Sequence, residues 1–522
     1  MRRWAPVVVV IAVAAVVFLS VNRPQGPVPP FEVSIWYWHS PFYISEEDAT
    51  LLEEMGVRRL FVRAGTFSFN GEDIVLVLPQ EYDQDSVRYP LTLVFPFDAG
   101  AVRHIEELET ERLAERVAER VLAQVDAVED AGFTVEGIQL DLDCPTRLLP
   151  RYAKIVETLR AQDRRLNKSG ALKLSATGLV TWFGERDLDL LAEQLDFIVP
   201  QVYEGQVSMR LETARPISNP QVMASLIEKA ERLPCPYYVG LPAYGRATLF
   251  DNKGEFAGVY HGLSPREALE HDAFEPLSMN PVDVSGLPTD EMEAFSGETF
   301  LKLRAVQSAP DGRGLGYTLL FSIPTPTQLH RSYKAALVAR SSNCLGGIVF
   351  RYPEPEESLV ESFVGQIAAI KDENWEPDIM VVPSVRSLPF SALQSQDGAR
   401  ADLTLTVENS GRAATAIAPN AIVIEIDVAK GSFDGTVPRR VVGCLTGVRT
   451  VDGFRETGWR DADCVRLFLA GLRAGEITTI GPIFFSETPP ANGNLSWTVL
   501  HEDGIESTRG ERPLSVPGDQ EK

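Results

Sequence analysis

Eight short β-rich runs alternate with longer helical stretches between Phe31 and about Ala369, and this alternation limits the fold more than any other feature. Strands that alternate with helices build a parallel sheet, because each helix returns the chain to the end where the next strand begins. Eight parallel strands are the number that closes into a barrel. The runs are 31–39, 58–65, 91–99, 137–145, 172–179, 196–204, 237–245 and 346–354. We therefore predict an α/β fold, a (β/α)8 TIM barrel over residues 31–375.

Two further regions are predicted beside the barrel. The turn-rich stretch from about Arg246 to Ser322 separates the seventh and eighth runs, so we expect an insertion above the barrel mouth. After about Trp375 the β-rich runs continue without helices, which is typical of a β-sandwich. We assign residues 376–510 to this sandwich, which resembles the immunoglobulin-like modules of bacterial surface enzymes, and residues 511–522 to a disordered tail.

The first 30 residues have the pattern of a targeting segment. Arg2 and Arg3 precede an apolar run from Ala5 to Leu19, and a Pro-rich stretch continues to Pro30. This pattern indicates a signal sequence or a membrane anchor. A short membrane span takes roughly 17 residues, and no clear small-x-small cleavage site follows, so we favour an anchor in the inner membrane over a cleaved signal. The body of the protein is then expected to be periplasmic or otherwise extracytoplasmic.

Composition excludes several classes of function. The 73 Asp and Glu residues outnumber 49 Lys and Arg, which gives a formal charge of −24 and argues against nucleic acid as a partner. None of the five cysteines has a zinc-site spacing. The sequence also has no phosphate-binding Gly-rich loop, HExxH or GxSxG motif, so we predict no metal and no cofactor. In an oxidising compartment Cys444 and Cys464 are expected to form a disulfide.

The fourth run, GIQLDLD, carries the most informative polar residues. Alternation with a period of two turns three side chains toward the helices (Ile138, Leu140, Leu142) and three toward the barrel axis (Gln139, Asp141, Asp143). Two carboxyls then lie on one face, about 6 to 7 Å apart. Burial of both as ions is unfavourable, so we expect a shared proton or one raised pKa, as a general acid requires. The alternative is that Asp143 caps the helix after Pro145 and Asp141 accepts backbone N–H bonds.

Four stretches resemble the chitinase-type family 18 glycoside hydrolases: GIQLDLD, FIVPQVYE, VGLPAYGR and GGIVF. The chain is also similar to a bacterial family described as domain of unknown function 3142, whose barrel is chitinase-like. The similarity covers the barrel, about two-thirds of the chain. It implies a glycosidase that acts on an extracytoplasmic polysaccharide, with N-acetylhexosamine units as one candidate substrate.

The resemblance also implies roles for individual residues. Strand four of that family reads DxDxE, in which the Glu protonates the glycosidic oxygen and the middle Asp orients the substrate's N-acetyl group. These positions fall on Gln139, Asp141 and Asp143, so Asp143 is the expected general acid. The Tyr-Asp that ends strand six falls on Tyr203 and Glu204. The Gly-x-Pro-x-Tyr-Gly-Arg of strand seven, the most specific of these matches, falls on Gly240, Pro242, Tyr244, Gly245 and Arg246.

This sequence departs from that family at two positions. Asp143 is one methylene shorter than Glu, and a misplacement of about 1 Å can reduce a rate a hundredfold. The Trp that ends strand eight in the family is Arg351 here. Stacking on a sugar would then come from other aromatic residues, and the candidates are Trp36, Trp38, Trp182 and Tyr352. Trp36 and Trp38 share one face of strand one, with the alternative that one of them only fills the barrel.

The mechanism implied by the resemblance is substrate-assisted: an acetamido oxygen attacks the anomeric carbon, and Tyr203 and Asp141 steady the intermediate. Without such a substrate a second carboxylate must serve, and Glu204 or Glu354 are the candidates; the alternative for Glu354 is a solvated acidic loop. We also expect sugar contacts, to hydroxyls or to a charged group, from residues near strand ends: His39, Arg63 and Gln201. Structural pairing with a nearby acid is the alternative for His39 and Arg63. Two other functions stay open, a carbohydrate-binding barrel without catalysis and an envelope scaffold.

Overall fold

The computed structural model describes residues 28–203, 208–215, 217–278, 298–307, 315–354, 357–387, 401–451, 453–486, 493–501 and 507–514. The predicted anchor, Ala5–Leu19, lies outside this part of the chain. Among the residues described, none of the helices combines the length and the apolar character that crossing a membrane requires.

Fifteen strands precede the sandwich among the described residues. In chain order they are β1 (Glu32–Tyr37), β2 (Val57–Arg63), β3 (Thr66–Phe69), β4 (Ile74–Val77), β5 (Leu91–Pro96), β6 (Val135–Asp141), β7 (Lys173–Gly178), β8 (Phe197–Pro200), β9 (Tyr237–Pro242), β10 (Arg246–Phe250), β11 (Phe256–Val259), β12 (Phe274–Ser278), β13 (Glu298–Ala305), β14 (Thr318–Pro324) and β15 (Cys344–Phe350). Eight of them close into a barrel in the order β1-β15-β9-β8-β7-β6-β5-β2. All neighbouring pairs are parallel. The predicted barrel fold is confirmed.

Helices cover the outside of the barrel. The described helices are α1 (Glu46–Met55), α2 (Ala99–His104), α3 (Thr110–Asp130), α4 (Leu149–Gln162), α5 (Asp187–Ala192), α6 (Pro220–Ala230), α7 (Pro265–Glu270), α8 (Pro326–Ala339) and α9 (Phe363–Lys371). The longest, α3, buries the apolar stripe expected from its helical spacing, including Leu113, Val117 and Val121. One unit differs from the repeat: between β2 and β5 the chain forms the antiparallel hairpin β3–β4 where a helix is expected.

Alternation along the strands separates two apolar regions. One set of strand residues packs with the helices, for example Leu60, Ile138 and Leu140. The other set forms a separate cluster that includes Trp36, Phe61, Val94, Val199, Tyr238 and Ile348. Because successive strand side chains point to opposite faces, the second set fills the barrel interior. Residues two positions further along each strand therefore line the mouth, at the carboxyl ends of the strands.

The insertion between β9 and β15 is an antiparallel sheet in the order β11-β10-β14-β13-β12, with α7 beside it. Arg210, which follows β8, forms an isolated bridge with Glu255 of the insertion. Since the loop after β8 leaves the mouth end of the barrel, the insertion lies at that end, as predicted.

The C-terminal region consists of two antiparallel sheets that share one apolar core. Their strands are β16 (Ile379–Ser387), β17 (Ala401–Asn409), β18 (Ile422–Asp427), β19 (Gly443–Thr450), β20 (Gly453–Glu456), β21 (Cys464–Leu469), β22 (Ile477–Phe485), β23 (Asn494–Leu500) and β24 (Ser507–Pro513). The sheets have the orders β16-β17-β22 and β20-β19-β21-β18-β23-β24. Leu405 of one sheet and Leu467 of the other lie in the same buried cluster, as a β-sandwich requires. The predicted start of a disordered tail at residue 511 is wrong, because residues 511–513 belong to β24.

The predicted Cys444–Cys464 disulfide is wrong: all five cysteines are free thiols. Cys444 lies opposite Leu467 in the β19–β21 pair, whereas Cys464 lies opposite Gly447. The two cysteines are therefore offset by three positions, which places them about 10 Å apart along the strands and on opposite faces of the sheet. A disulfide needs Cα atoms within about 7 Å of each other and side chains that meet, so this register excludes the bond.

We therefore expect five alkylatable thiols per chain when the purified protein is unfolded without a reductant and treated with iodoacetamide. Intact-mass measurement counts the added carbamidomethyl groups. If three groups are added before reduction and five after it, the disulfide is present, and the register of β19 and β21 is contradicted.

Candidate active site

The barrel interior is closed beneath its mouth by Trp36. Its indole is 1% exposed, and Nε1 donates a hydrogen bond of 2.8 Å to Oε1 of Gln139, which is fully buried. The indole also contacts the rings of Phe61 and Phe350. Trp36 therefore fills the barrel, and the expectation that it stacks on a sugar is wrong. Gln139 supports this indole, so its assignment as a residue that contacts substrate is also corrected.

Asp141, the last residue of β6, lies one step closer to the mouth on the same inward face. Oδ1 accepts a hydrogen bond of 2.6 Å from the Thr177 hydroxyl and one of 3.5 Å from Nε2 of Gln201. Burial raises the pKa of Asp141, and the Thr177 hydrogen bond opposes that shift in part. The raised pKa that was expected in this strand belongs to Asp141, whereas the residue expected to act as the general acid is Asp143. The alternative that backbone N–H groups hold Asp141 is wrong, since both of these donors are side chains.

Asp143 follows the end of β6 and is exposed. The N-cap residues of the 3-10 turn Thr146–Leu148 and of α4, Pro145 and Leu148, provide no side-chain cap. The alternative that Asp143 caps the following helix stays a prediction. The neighbour of Asp143, Cys144, is buried, and its carbonyl accepts a hydrogen bond of 3.1 Å from Nε1 of Trp182. Asp143 thus stands at the rim of the mouth, two residues beyond the enclosed carboxyl of Asp141.

An aromatic group surrounds the mouth, with Phe350 at its centre. The Phe350 ring lies 5.5 Å from Trp38, 5.9 Å from Tyr203 and 5.1 Å from Tyr244, measured between ring centroids. Trp38, Tyr244 and Phe350 are partly exposed, whereas Tyr203 is buried. A Cβ on Gly240 would lie 2.7 Å from Tyr203 Cε1, so glycine is required there for the Tyr203 ring to pack against β9.

Neither Phe350 nor Thr177 is among the site residues predicted from the sequence. Both follow from the alternation that located Asp141: Phe350 is two residues beyond the inward Ile348, and Thr177 is two beyond Ser175, which is fully buried. Applied to β7 and β15, the same period would have found them.

Two predicted stacking residues lie in the core instead. Trp182 is fully buried, with its ring 6.2 Å from that of Tyr152. Tyr352 is 5% exposed, and its ring packs against Tyr37 and Phe363. Neither ring can meet a sugar at the mouth, so both assignments are corrected.

A charged network follows β15. Glu357 pairs with the Arg351 guanidinium, and its Oε2 lies 3.3 Å from Nε2 of His39. Nδ1 of His39 lies 3.0 Å from Oε1 of Glu354. His39 and Glu354 are thus structural partners, as the alternative for His39 held. Glu354 is also 46% exposed, as the alternative of a solvated acidic loop expects. His39, Glu354 and Glu357 each offer one atom that could bind a metal ion, and these three atoms lie within 4.8 Å of one another. The Glu357 carboxylate, however, is already paired with the Arg351 guanidinium.

Arg63 contrasts with that network. It is the last residue of β2 and is inward-facing by alternation with Phe61. Within the described residues no hydrogen bond or ion pair of Arg63 is found, and its buried Nε has no partner. Burial, followed by repulsion from Arg351, lowers the pKa of Arg63. Among the described residues, therefore, no acid pairs with Arg63, in contrast to the alternative predicted for this residue.

Two predicted site residues remain, Arg246 and Glu204. Arg246 begins β10, opposite Ser322 of β14, and is partly exposed. Glu204 lies outside the described residues.

A cleft of about 770 Å³ lies beside the mouth, between α7, the loop after β15 and the sandwich, and Glu354 forms part of its wall.

Comparison with known proteins gives one family match. Residues 101–272 match the family model described as "Domain of unknown function (DUF3142)". The predicted similarity to that family is confirmed over this segment, which contains Asp141, Asp143, Tyr203 and Tyr244 but not Trp38, Arg63 or Arg351. A comparison with functionally curated proteins gave no match.

The solved structures that are similar to this chain include three enzymes. The chitinase ChiA74 from Bacillus thuringiensis is 10% identical, with a TM-score of 0.41 and coverage of 92% of this chain and 100% of that one. A family 18 N-acetylglucosaminidase from Paenibacillus barengoltzii is 12% identical, with a TM-score of 0.41 and coverage of 65% and 99%. The spore cortex-lytic enzyme SleL from Bacillus cereus is 12% identical, with a TM-score of 0.40 and coverage of 67% and 76%. The assignment of a barrel rests on the closed strand order rather than on these similarities.

The raised pKa of Asp141 predicts how stability changes with pH. Between the pKa of an unfolded Asp, about 3.9, and the raised native pKa, the folded state binds more protons, so the free energy of unfolding falls as pH rises through this window. Asp141→Asn removes that dependence. We expect urea unfolding to show that the variant gains stability relative to the parent as the pH rises from 4 to 8. A difference that stays constant over this range would refute the assignment.

Proposed function

We propose that this barrel hydrolyses a glycosidic bond of an extracytoplasmic polysaccharide, with Asp143 as the general acid. The observation that carries the proposal is the pair of carboxyls at the end of β6. Asp141 is enclosed in the mouth with a raised pKa, and Asp143 is exposed at the rim. Active sites of parallel barrels form at this end of the strands, and two carboxyls in different environments can divide acid and stabilising roles.

The aromatic group provides a surface for a sugar. Saccharide-binding clefts combine apolar ring faces with a few polar groups that fix orientation. Trp38, Tyr244 and Phe350 offer partly exposed rings around the mouth. Oε1 of Gln201, whose Nε2 contacts Asp141, is buried without a partner, so unused hydrogen-bonding capacity remains beside this surface. Unpaired buried amides are unfavourable unless a ligand or water satisfies them.

In the proposed reaction Asp143 gives its proton to the oxygen of the leaving sugar. Asp141, whose raised pKa favours the protonated form, accepts a hydrogen bond from the acetamido N–H through its carbonyl oxygen, and this contact turns the acetamido carbonyl oxygen toward the anomeric carbon. Thr177 and Gln201 hold the Asp141 carboxyl in position for this contact. No protein nucleophile is then required, since the substrate supplies the attacking oxygen.

The alternative function is a carbohydrate-binding barrel without catalysis. It is favoured by the short reach of Asp143, since a shift of about 1 Å can reduce a rate a hundredfold. Arg351 also favours this alternative. It stands where the family has the Trp that ends strand eight, and it pairs with Glu357, so this position offers no aromatic ring to a sugar. Binding without turnover would identify this alternative.

We also propose that residues 5–19 anchor the protein in the inner membrane, with the barrel and the sandwich on the extracytoplasmic side. The Arg2-Arg3 pair before the apolar run supports this orientation, because positive residues flank membrane segments on the cytoplasmic side.

Asp143→Asn should abolish sugar release while leaving binding intact. General acid catalysis contributes about 10²–10⁴-fold, so we expect a loss of that size in kcat from the full-length chain, assayed for reducing ends on N-acetylhexosamine and neutral polysaccharides. Asp130→Asn, an exposed change at the end of α3 away from the mouth, is the matched control. Asp143→Glu restores the missing methylene and is expected to raise the rate.

Equal release by the parent and Asp143→Asn would remove Asp143 from the acid role. Release by neither, with saccharide binding retained in both, would favour the binding barrel over the hydrolase.

Trp38→Ala should weaken saccharide binding by about tenfold or more, which corresponds to about 1.4 kcal/mol, because a partly exposed ring at the mouth is lost. Trp459→Ala is the control, since this indole is 39% exposed but lies in the sandwich. Affinity electrophoresis in gels containing the hydrolysed polysaccharide measures both variants. Equal retardation of Trp38→Ala and the parent would exclude Trp38 from the binding surface.

A further inference from the structure

Arg63 is an unexplained charge in the barrel mouth. Its side chain is only partly exposed, its Nε is buried without a partner, and no hydrogen bond or ion pair of this residue is found in the described part of the chain. Burial of a guanidinium N–H without a hydrogen-bond partner is unfavourable, and structures rarely retain such a group without a use. The proposed hydrolysis does not use it.

A second guanidinium lies nearby. Arg351 is close enough to repel Arg63, and it belongs to the loop that leaves β15 at the same end of the barrel. Arg351 is held by Glu357, which also contacts His39. Arg351 is therefore positioned and partly neutralised, whereas no counter-charge to Arg63 is found among the described residues. Positive charges of this kind at the mouth favour the binding of an anionic group.

We infer that the saccharide bound at the mouth carries a carboxylate, and that Arg63, with Arg351 beside it, binds this group. The inference rests on the proposed function, since it names the class of sugar for the same site. A planar guanidinium offers paired N–H donors that match the two oxygens of a carboxylate, and such charge-assisted pairs are stronger than neutral hydrogen bonds. The partnerless Nε of Arg63 belongs to that set of donors.

The acidic character of the whole chain does not oppose the binding of a carboxylate at the mouth. Its formal charge of −24 is spread over 522 residues, and exposed charges more than about 8 Å away are largely screened at physiological ionic strength. Within the mouth, the raised pKa of Asp141 reduces the negative charge that would repel a carboxylate. Arg63 therefore provides a positive charge at the mouth that no acid of the described residues pairs with.

The test uses the full-length chain on an array of oligosaccharides that contain uronic acids, each beside a counterpart whose carboxylate has been reduced to an alcohol. Sulfated oligosaccharides form a third set. We expect the parent to bind at least one carboxylated member about tenfold more tightly than its reduced counterpart. Arg63→Met should remove this preference and leave neutral binding within about twofold, because the aliphatic part is kept and the donors are lost.

Two further variants complete the design. Arg63→Lys keeps the charge without the paired donors and should retain only part of the preference; it also serves if Arg63→Met fails to fold. Arg232→Met removes an exposed arginine just after α6, at the opposite end of the barrel, and should behave as the parent. Thermal unfolding of every variant reports whether the fold is retained.

Each outcome decides between the two proposals. Equal binding of carboxylated and reduced members, unchanged by Arg63→Met, would overturn the carboxylate and leave the proposed glycosidase standing. A preference for sulfated over carboxylated members would overturn the carboxylate in favour of a sulfate. Binding of no saccharide at all would overturn the proposed function and this inference with it.

Discussion

The need to fill the inside of a closed eight-stranded barrel governs the rest of this structure. Trp36 is one of the largest fully buried side chains in this interior, and its indole N–H is satisfied by Gln139 across the barrel. A buried indole without this acceptor would be unfavourable, and a smaller side chain would leave a cavity. With this layer fixed, the next inward positions on the same strands lie at the mouth. Trp38 and Asp141 occupy that second layer, and the site is built on it.

The mouth combines groups that water would normally stabilise. Burial raises the pKa of Asp141 and lowers that of Arg63, so enclosure disfavours the charged form of both side chains. Asp141 is supported by Thr177 and Gln201, whereas Arg63 has no support from the described chain. Such an arrangement reduces stability and is typical of places where a ligand completes the interactions. Folding alone does not require either charge at this position.

The loop after β15 connects the site to the other regions. Glu357 contacts both His39 and Arg351, and its backbone carbonyl accepts a hydrogen bond from Arg473 in the sandwich. Arg266 of the insertion also pairs with Glu476 of the sandwich. The sandwich therefore contacts the loop that positions one of the two mouth arginines. An appended domain can thus influence the geometry of the barrel site without contributing a side chain to the mouth.

The sequence by itself determined the eight-stranded barrel, the insertion after strand seven, the sandwich and the inward direction of Gln139 and Asp141, because all of these depend on periodicity along the chain. Applied to every strand, the same rule would have found Thr177 and Phe350. Only the tertiary structure placed Trp182 and Tyr352 in the core, since nothing in a local pattern shows which side of a loop becomes covered. It also separated Cys444 from Cys464 and left Arg63 without a partner, because strand register and the approach of distant loops are set by packing between segments far apart in sequence.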